Sequence, residues 1–213
     1  MKTNVTEIVF ILDRSGSMSG LESDTIGGYN AMLTKQKDAE GEAIVTTVLF
    51  NHDYELLHDR INVKGVAPLS QKDYDVSGTT ALLDAIGHTI NKIKKAQNAT
   101  LKEHQADKVL FVITTDGLEN SSHEFNYKKI KQMIGQQKEN GWEFIFLGAN
   151  IDAIGTASEL GIDSDHAVEF HADEEGVQMN FSVVTETVLN YRKEGKIEKD
   201  WKKEIEADYK RRK

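Results

Sequence analysis

Residues 7–17 read EIVFILDRSGS, an uninterrupted apolar run that ends in an acidic residue and a serine–glycine turn. A continuous apolar run of this length, followed by turn residues, predicts a strand that is buried on both faces of a parallel sheet. The alternate spacing of Asp13, Ser15 and Ser17 lets one carboxylate and two hydroxyls converge, and Gly16 permits a tight backbone path between them. The segment therefore predicts a buried strand that delivers a cluster of oxygen atoms to one edge of a sheet.

Further apolar runs of strand length alternate with segments of helical periodicity along the chain. Strands are predicted at 43–50, 54–63, 108–115, 142–147 and 166–170, and helices at 22–38, 80–95, 127–140, 151–160 and from 177 onward. The turn at 51–53 predicts that the strand at 54–63 forms a hairpin with the strand before it. This alternation predicts an α/β, doubly wound, Rossmann-like fold: a mostly parallel central sheet with one antiparallel edge strand and helices on both faces.

Composition excludes several classes of function. The chain has 213 residues, 38% of them hydrophobic, which is enough for one well-buried core. Its formal net charge of −9 argues against nucleic-acid binding, because phosphate contacts need clustered Lys and Arg. No apolar run approaches the roughly 18 residues that span a bilayer, so no membrane segment is expected. The absence of cysteine excludes disulfides and thiolate chemistry, and a cytoplasmic location is the default expectation.

Two other polar loops are predicted at the same sheet edge as residues 13–17. Residues 77–80 (Ser-Gly-Thr-Thr) precede a predicted helix, and residues 114–117 (Thr-Thr-Asp-Gly) end the predicted central strand. Loops at the carboxyl ends of parallel strands gather at one edge, where ligands bind in sheets of this kind. All the candidate donors are oxygen atoms, which suits a hard cation such as Mg²⁺ or Mn²⁺.

Taken together, the three loops resemble the metal-ion-dependent adhesion site of the von Willebrand factor A family. The matching elements are Asp-x-Ser-x-Ser at 13–17, Gly-x-Thr-x-Leu-x-Asp-Ala at 78–85 and Thr-Asp-Gly at 115–117. The resemblance covers about residues 8–170, and it is to stand-alone bacterial or phage members. The site residues that it implies are Asp13, Ser15, Ser17, Thr80 and Asp116.

The resemblance also implies a role for each of these residues. Ser15, Ser17 and Thr80 would bind the metal directly or nearly so, while the two aspartates would often act through water. Thr79 is an alternative to Thr80, and we prefer Thr80 because the spacing of the family motif falls on it. A further alternative is that the polar residues at 13–17 only cap the first helix and satisfy turn amides.

The function implied is protein binding rather than catalysis. A dication with few direct carboxylate ligands keeps residual positive charge and an exchangeable position, so it should attract an Asp or Glu side chain of a partner protein. A Mg²⁺-dependent phosphatase of the haloacid-dehalogenase type is an alternative, although such enzymes need a second carboxylate where this chain has Ser15. A scaffold with a purely structural metal is another.

The sequence divides into a domain at 1–193 and a charged, amphipathic C-terminal helix or tail at 194–213. Ile197, Trp201, Ile205 and Tyr209 lie four residues apart, which on a helix places them along one side. We expect this apolar stripe to pack back on the domain. Docking to a partner, or to an acidic surface through the basic residues at 210–213, is the alternative.

Overall fold

The apolar run that follows Asn4 forms the middle of a sheet in a computed structural model, which describes residues 4–212. The described residues form six strands, which are β1 (Val5–Asp13), β2 (Glu42–Phe50), β3 (Tyr54–Asn62), β4 (Lys108–Thr115), β5 (Trp142–Ala149) and β6 (Ala167–Phe170). Their order in the sheet is β3-β2-β1-β4-β5-β6. All neighbouring pairs are parallel except β2 and β3, so the predicted antiparallel edge strand is confirmed.

Six α-helices of the described chain cover the two faces of this sheet. They are α1 (Glu22–Asp38), α2 (Leu82–Ala99), α3 (Tyr127–Glu139), α4 (Ala153–Leu160), α5 (Glu174–Glu194) and α6 (Lys203–Arg211). Side chains alternate along β1: Ile8 and Phe10 pack with α1 and α5, whereas Val9 and Ile11 pack with α2, α3 and α4. The predicted two-sided α/β architecture is confirmed. No helix in the described part of the chain is long and apolar enough to cross a membrane.

The C-terminal segment differs from the single helix that its four-residue spacing predicts. Gly195 ends α5 with a left-handed φ of 73°, and helical structure resumes only at Lys203. In the intervening segment the Trp201 indole N–H donates to the carbonyl oxygen of Asp165 at 2.8 Å. Trp201 and Ile205 are buried in the same core as α1 and α5. The described part of this segment is therefore not one continuous helix. The prediction that it packs back on the domain is confirmed, and the domain boundary at residue 193 stays a prediction.

A buried histidine on β3 predicts a specific pH dependence of stability. His58 is 4% exposed, and its Nδ1 lies 3.5 Å from the Tyr29 hydroxyl, which itself lies 2.6 Å from Thr47 Oγ1. Burial lowers the pKa of His58 and Lys37 adds to this, whereas Asp73 and a hydrogen bond with the Ala67 backbone oppose it.

As the pH falls below about 6.5, the unfolded chain gains a proton at His58 before the folded chain does, so this residue should make unfolding easier. Between pH 7.5 and 5.5 we expect wild type to lose more unfolding free energy than His58→Gln, by at most about 1.4 kcal/mol per pH unit. Urea denaturation of both proteins at each pH measures the difference. Parallel pH profiles would show that His58 is protonated equally easily in both states.

Candidate metal centre

The backbones of two of the three polar loops are hydrogen-bonded to each other. The Gly16 N–H donates to the carbonyl oxygen of Gly78 at 3.0 Å, and the Ser77 N–H donates to the carbonyl oxygen of Arg14 at 3.0 Å. A Cβ atom at Gly16 would lie 3.2 Å from the Gly78 oxygen, which is closer than an ordinary van der Waals contact, so glycine favours the close approach. The loop after β1 and the loop before α2 therefore meet directly, as the parallel topology predicts.

Four of the five predicted site residues are linked by a chain of hydrogen bonds. Asp13 Oδ1 accepts from the Ser15 N–H at 2.7 Å, and Asp13 Oδ2 accepts from the Thr115 hydroxyl at 2.5 Å. The hydroxyl oxygens of Ser15 and Ser17 are 3.0 Å apart, and Ser17 Oγ donates to Asp116 Oδ1 at 2.5 Å. Residues that are about 100 positions apart in the sequence thus converge at one edge of the sheet.

Gly117 shows where the fifth residue lies. A Cβ atom built on Gly117 would be 3.1 Å from Ser17 Oγ, 3.2 Å from Thr80 Oγ1 and 4.0 Å from Ser15 Oγ. Three hydroxyl oxygens therefore surround one small space that exists because residue 117 has no side chain. Thr80 is 3% exposed and reaches this space, whereas Thr79 is exposed to solvent. The geometry favours Thr80 over Thr79, and the role of each residue as a metal ligand stays a prediction.

Comparison with known proteins identifies the fold. No protein-family model matches the sequence, and a search of curated proteins gives no match. Among solved structures, the von Willebrand factor domain of the type V pilus tip protein from Porphyromonas gingivalis is similar, with 15% identity and a TM-score of 0.59. That match covers 91% of this chain and 98% of the pilus domain.

Parts of two longer proteins have a similar fold. Proximal thread matrix protein 1 from the mussel byssus, solved with zinc in its metal-ion-dependent adhesion motif, matches 86% of this chain with 12% identity and a TM-score of 0.58. The SpaC pilus adhesin of Lactobacillus rhamnosus GG matches 89% with 14% identity and a TM-score of 0.61. This chain has the von Willebrand factor A fold. It spans 46% of the mussel protein and 30% of SpaC, and identities this low show a shared fold alone.

The electrostatics at this edge of the von Willebrand factor A fold favour a cation. Asp13 and Asp116 are 1% and 2% exposed, and Asp116 Oδ2 is buried without a hydrogen-bond partner. Burial raises the pKa of Asp116 to about 6; the nearby Asp13 carboxylate adds to this rise, and the hydrogen bond from Ser17 opposes it. Burial likewise raises the pKa of Asp13. Two neighbouring buried carboxylates are costly in their charged form unless positive charge compensates them.

The set of donors fits a hard divalent ion. Among the described residues no group of three or more His, Cys, Asp or Glu side chains is arranged to hold a metal, so hydroxyl oxygens must supply part of any coordination here. Two carboxylates and three hydroxyls are all oxygen donors, which suits Mg²⁺ or Mn²⁺. The unpartnered oxygen of Asp116 and the space beside Gly117 are the features that a bound ion would satisfy and fill.

Several residues that support the site were not predicted to do so. The Thr115 hydroxyl binds the Asp13 carboxylate, and the Tyr74 hydroxyl donates to the Asp13 carbonyl oxygen. Thr115 immediately precedes Asp116 in the Thr-Asp-Gly motif, so the sequence already indicated that Thr115 lies near the site. Tyr74 belongs to the irregular segment between β3 and α2, where no periodicity indicates the direction of a side chain.

Asp84 lies in the first turn of α2, where a carboxylate is favoured by the helix macrodipole. Its carboxylate also accepts hydrogen bonds from the backbone N–H groups of His123, Glu124 and Phe125, at 2.8 to 3.0 Å. Asp84 thus holds the loop that follows β4 against the start of α2.

Proposed function

We propose that this chain is a divalent-metal-binding interaction module that recognises a protein partner through a bound Mg²⁺ or Mn²⁺. The ligand set is Asp13, Ser15, Ser17, Thr80 and Asp116. The observation that carries the proposal is the space beside Gly117, where three hydroxyl oxygens from two different loops converge next to the Asp116 carboxylate. Capping of a helix by the first loop would account for neither the position of Thr80 nor the unpartnered oxygen of Asp116.

Binding rather than catalysis follows from the charge balance. The metal, once bound, supplies a Lewis-acidic positive charge that an incoming carboxylate can neutralise. The chain's own residues contribute only two carboxylates, and both also accept hydrogen bonds from hydroxyl groups, so a dication would keep an attraction for an Asp or Glu of a partner. The zinc-occupied motif in the mussel protein and the pilus relatives support this proposal. The phosphatase alternative gains no support, because Ser15 stands where a second carboxylate would be needed.

Asp13→Ala tests the metal site. Titration of wild type with Mg²⁺ or Mn²⁺ should raise its unfolding free energy, by about 2.7 kcal/mol at an ion concentration one hundred times the dissociation constant. In a chain of this size that corresponds to a rise in Tm of roughly 5–10 °C. Asp13→Ala should show little or no rise, because the carboxylate that holds the first loop is lost. Asp53→Ala, at an exposed turn of the same edge, is the matched control and should respond like wild type.

The same pair of proteins tests partner binding. Affinity capture from the native cell should recover a partner with wild type in Mg²⁺, and should lose it in EDTA or with Asp13→Ala. Capture that survives both changes would indicate a scaffold in which the metal is structural. Asp13-dependent turnover of phosphate esters would instead indicate a hydrolase.

A further inference from the structure

The peptide group on each side of Thr80 is held by a single residue of another loop. The Thr80 N–H donates to Asn120 Oδ1 at 2.9 Å, and the Asn120 N–H donates to the Thr80 carbonyl oxygen at 3.0 Å. These two reciprocal bonds fix both the position and the orientation of the Thr80 backbone. Asn120 itself is exposed and lies four residues after Asp116, and its own side chain is not one of the proposed ligands.

Further hydrogen bonds join the same loop, which follows β4, to the first turn of α2. Glu119 accepts from the Leu83 N–H at 2.9 Å and from the Ser122 N–H and hydroxyl at 2.7 and 2.8 Å. The Asp84 N–H in turn donates to Ser122 Oγ at 3.0 Å. The loop after β4 and the first turn of α2 are therefore joined by bonds in both directions. Hydrogen bonds thus connect two of the three loops of the metal centre to each other.

A fixed Thr80 has a consequence for which ion is held. Mg²⁺ requires nearly ideal octahedral geometry with short metal–oxygen distances, whereas Ca²⁺ accepts longer distances and variable geometry. A ligand whose backbone is fixed by hydrogen bonds can meet the octahedral geometry that Mg²⁺ requires. A ligand on a flexible loop would favour Mg²⁺ over Ca²⁺ less strongly. Partners of metal ligands commonly change metal affinity by 10- to 100-fold when they are removed.

We propose that Asn120 is a positioning residue that sets the preference of this site for Mg²⁺ over Ca²⁺ by holding the Thr80 backbone. The proposal rests on the metal site proposed above. It requires that loss of the Asn120 side-chain acceptor weakens Mg²⁺ binding more than Ca²⁺ binding. It also requires that a side chain that keeps the acceptor keeps the preference.

Isothermal titration of the full chain with Mg²⁺ and with Ca²⁺ tests this, using wild type, Asn120→Ala and Asn120→Asp. Asn120→Ala should weaken Mg²⁺ binding about tenfold and Ca²⁺ binding less than about threefold, so that the affinity ratio falls. Asn120→Asp keeps an oxygen acceptor at the same position. Its added charge should strengthen both ions, and the ratio should stay within about threefold of wild type. Asn98→Ala, an exposed asparagine near the far end of α2, controls for the loss of an amide.

The results separate this inference from the proposal on which it rests. If wild type binds neither ion, the metal site and the role of Asn120 both fail. If wild type binds Mg²⁺ but Asn120→Ala leaves the ratio of the two affinities unchanged, only the role of Asn120 fails. A ratio that falls equally in Asn120→Asp would also overturn it, because the hydrogen-bond acceptor would then not be the cause.

Discussion

Gly117→Ala is expected to weaken divalent-metal binding strongly while leaving the fold in place. The new methyl group would lie 3.1 Å from Ser17 Oγ and 3.2 Å from Thr80 Oγ1, within the space that the proposed ion needs. The φ angle of Gly117 lies outside the left-handed region, so alanine adds no backbone strain there. We expect the affinity for Mg²⁺ to fall by at least about 100-fold, equivalent to about 2.8 kcal/mol of binding free energy. The rise in Tm on adding Mg²⁺ measures it.

Gly135→Ala is the matched control for this substitution. Gly135 lies in the interior of α3, and a Cβ atom there would meet nothing within 4 Å. Alanine should therefore stabilise the helix by up to about 1 kcal/mol and leave the response to Mg²⁺ unchanged. If Gly117→Ala still responds to Mg²⁺ as wild type does, the space beside Gly117 is not the metal position, and the ligand set would have to be sought elsewhere.

The fold could be predicted from the sequence because its strands carry a strong local signal. The runs at 8–12, 109–113 and 144–147 are apolar throughout, and such runs are stable only where both faces of a sheet are covered. The hairpin between β2 and β3 was predictable for the same reason, since its turn residues are local. The predicted and observed strand ends differ by at most two residues, which is the usual uncertainty in assigning the boundary of a strand.

The C-terminal segment shows where a local pattern fails. Four-residue spacing of apolar residues from Ile197 to Tyr209 is compatible with a helix, but the same spacing arises when separate contacts require each side chain. Trp201 is placed by burial and by its bond to the Asp165 carbonyl oxygen, 36 residues away. The left-handed Gly195 then interrupts the helix before this contact is reached.

The candidate site likewise has a part that the sequence predicts and a part that it does not. The three loops were predictable because each follows or precedes an element with a clear signal, and parallel topology brings their ends together. The spacing of the family motif already favoured Thr80 over Thr79, but it did not show that two hydrogen bonds with Asn120, 40 residues away, hold the Thr80 backbone. Hydrogen bonds of this kind join two loops that are distant in the sequence, so the local sequence of either loop does not predict them.

Arg192→Met is expected to cause the largest loss of stability among the variants considered. The Arg192 side chain of α5 is buried against the last turn of α1 and the turn that leads into β2. One of its terminal nitrogens donates to the Gln36 carbonyl oxygen at 2.6 Å and to Gln36 Oε1 at 3.0 Å, and the other donates to the carbonyl oxygens of Gly41 at 2.9 Å and Glu40 at 3.3 Å. Methionine keeps much of the apolar contact and removes every donor.

The expected loss of stability follows from the backbone carbonyl groups that Arg192→Met leaves without a hydrogen-bond donor. Carbonyl groups at a helix end have no partner within the helix, and leaving such buried acceptors unsatisfied costs about 1–3 kcal/mol each, less where water can reach them. We expect a loss of about 3 kcal/mol or more of unfolding free energy, measured by urea denaturation. That loss corresponds to a fall in Tm of roughly 6–12 °C for a chain of this size.

Lys193→Met provides the control, because it makes a similar change at the next residue, whose side chain is 81% exposed. It should alter stability by no more than about 0.5 kcal/mol. Equal effects of the two substitutions would mean that water replaces the guanidinium at the end of α1. In that case α1 and α5 would be joined mainly by their apolar contacts, and the hydrogen bonds of Arg192 would contribute little net free energy.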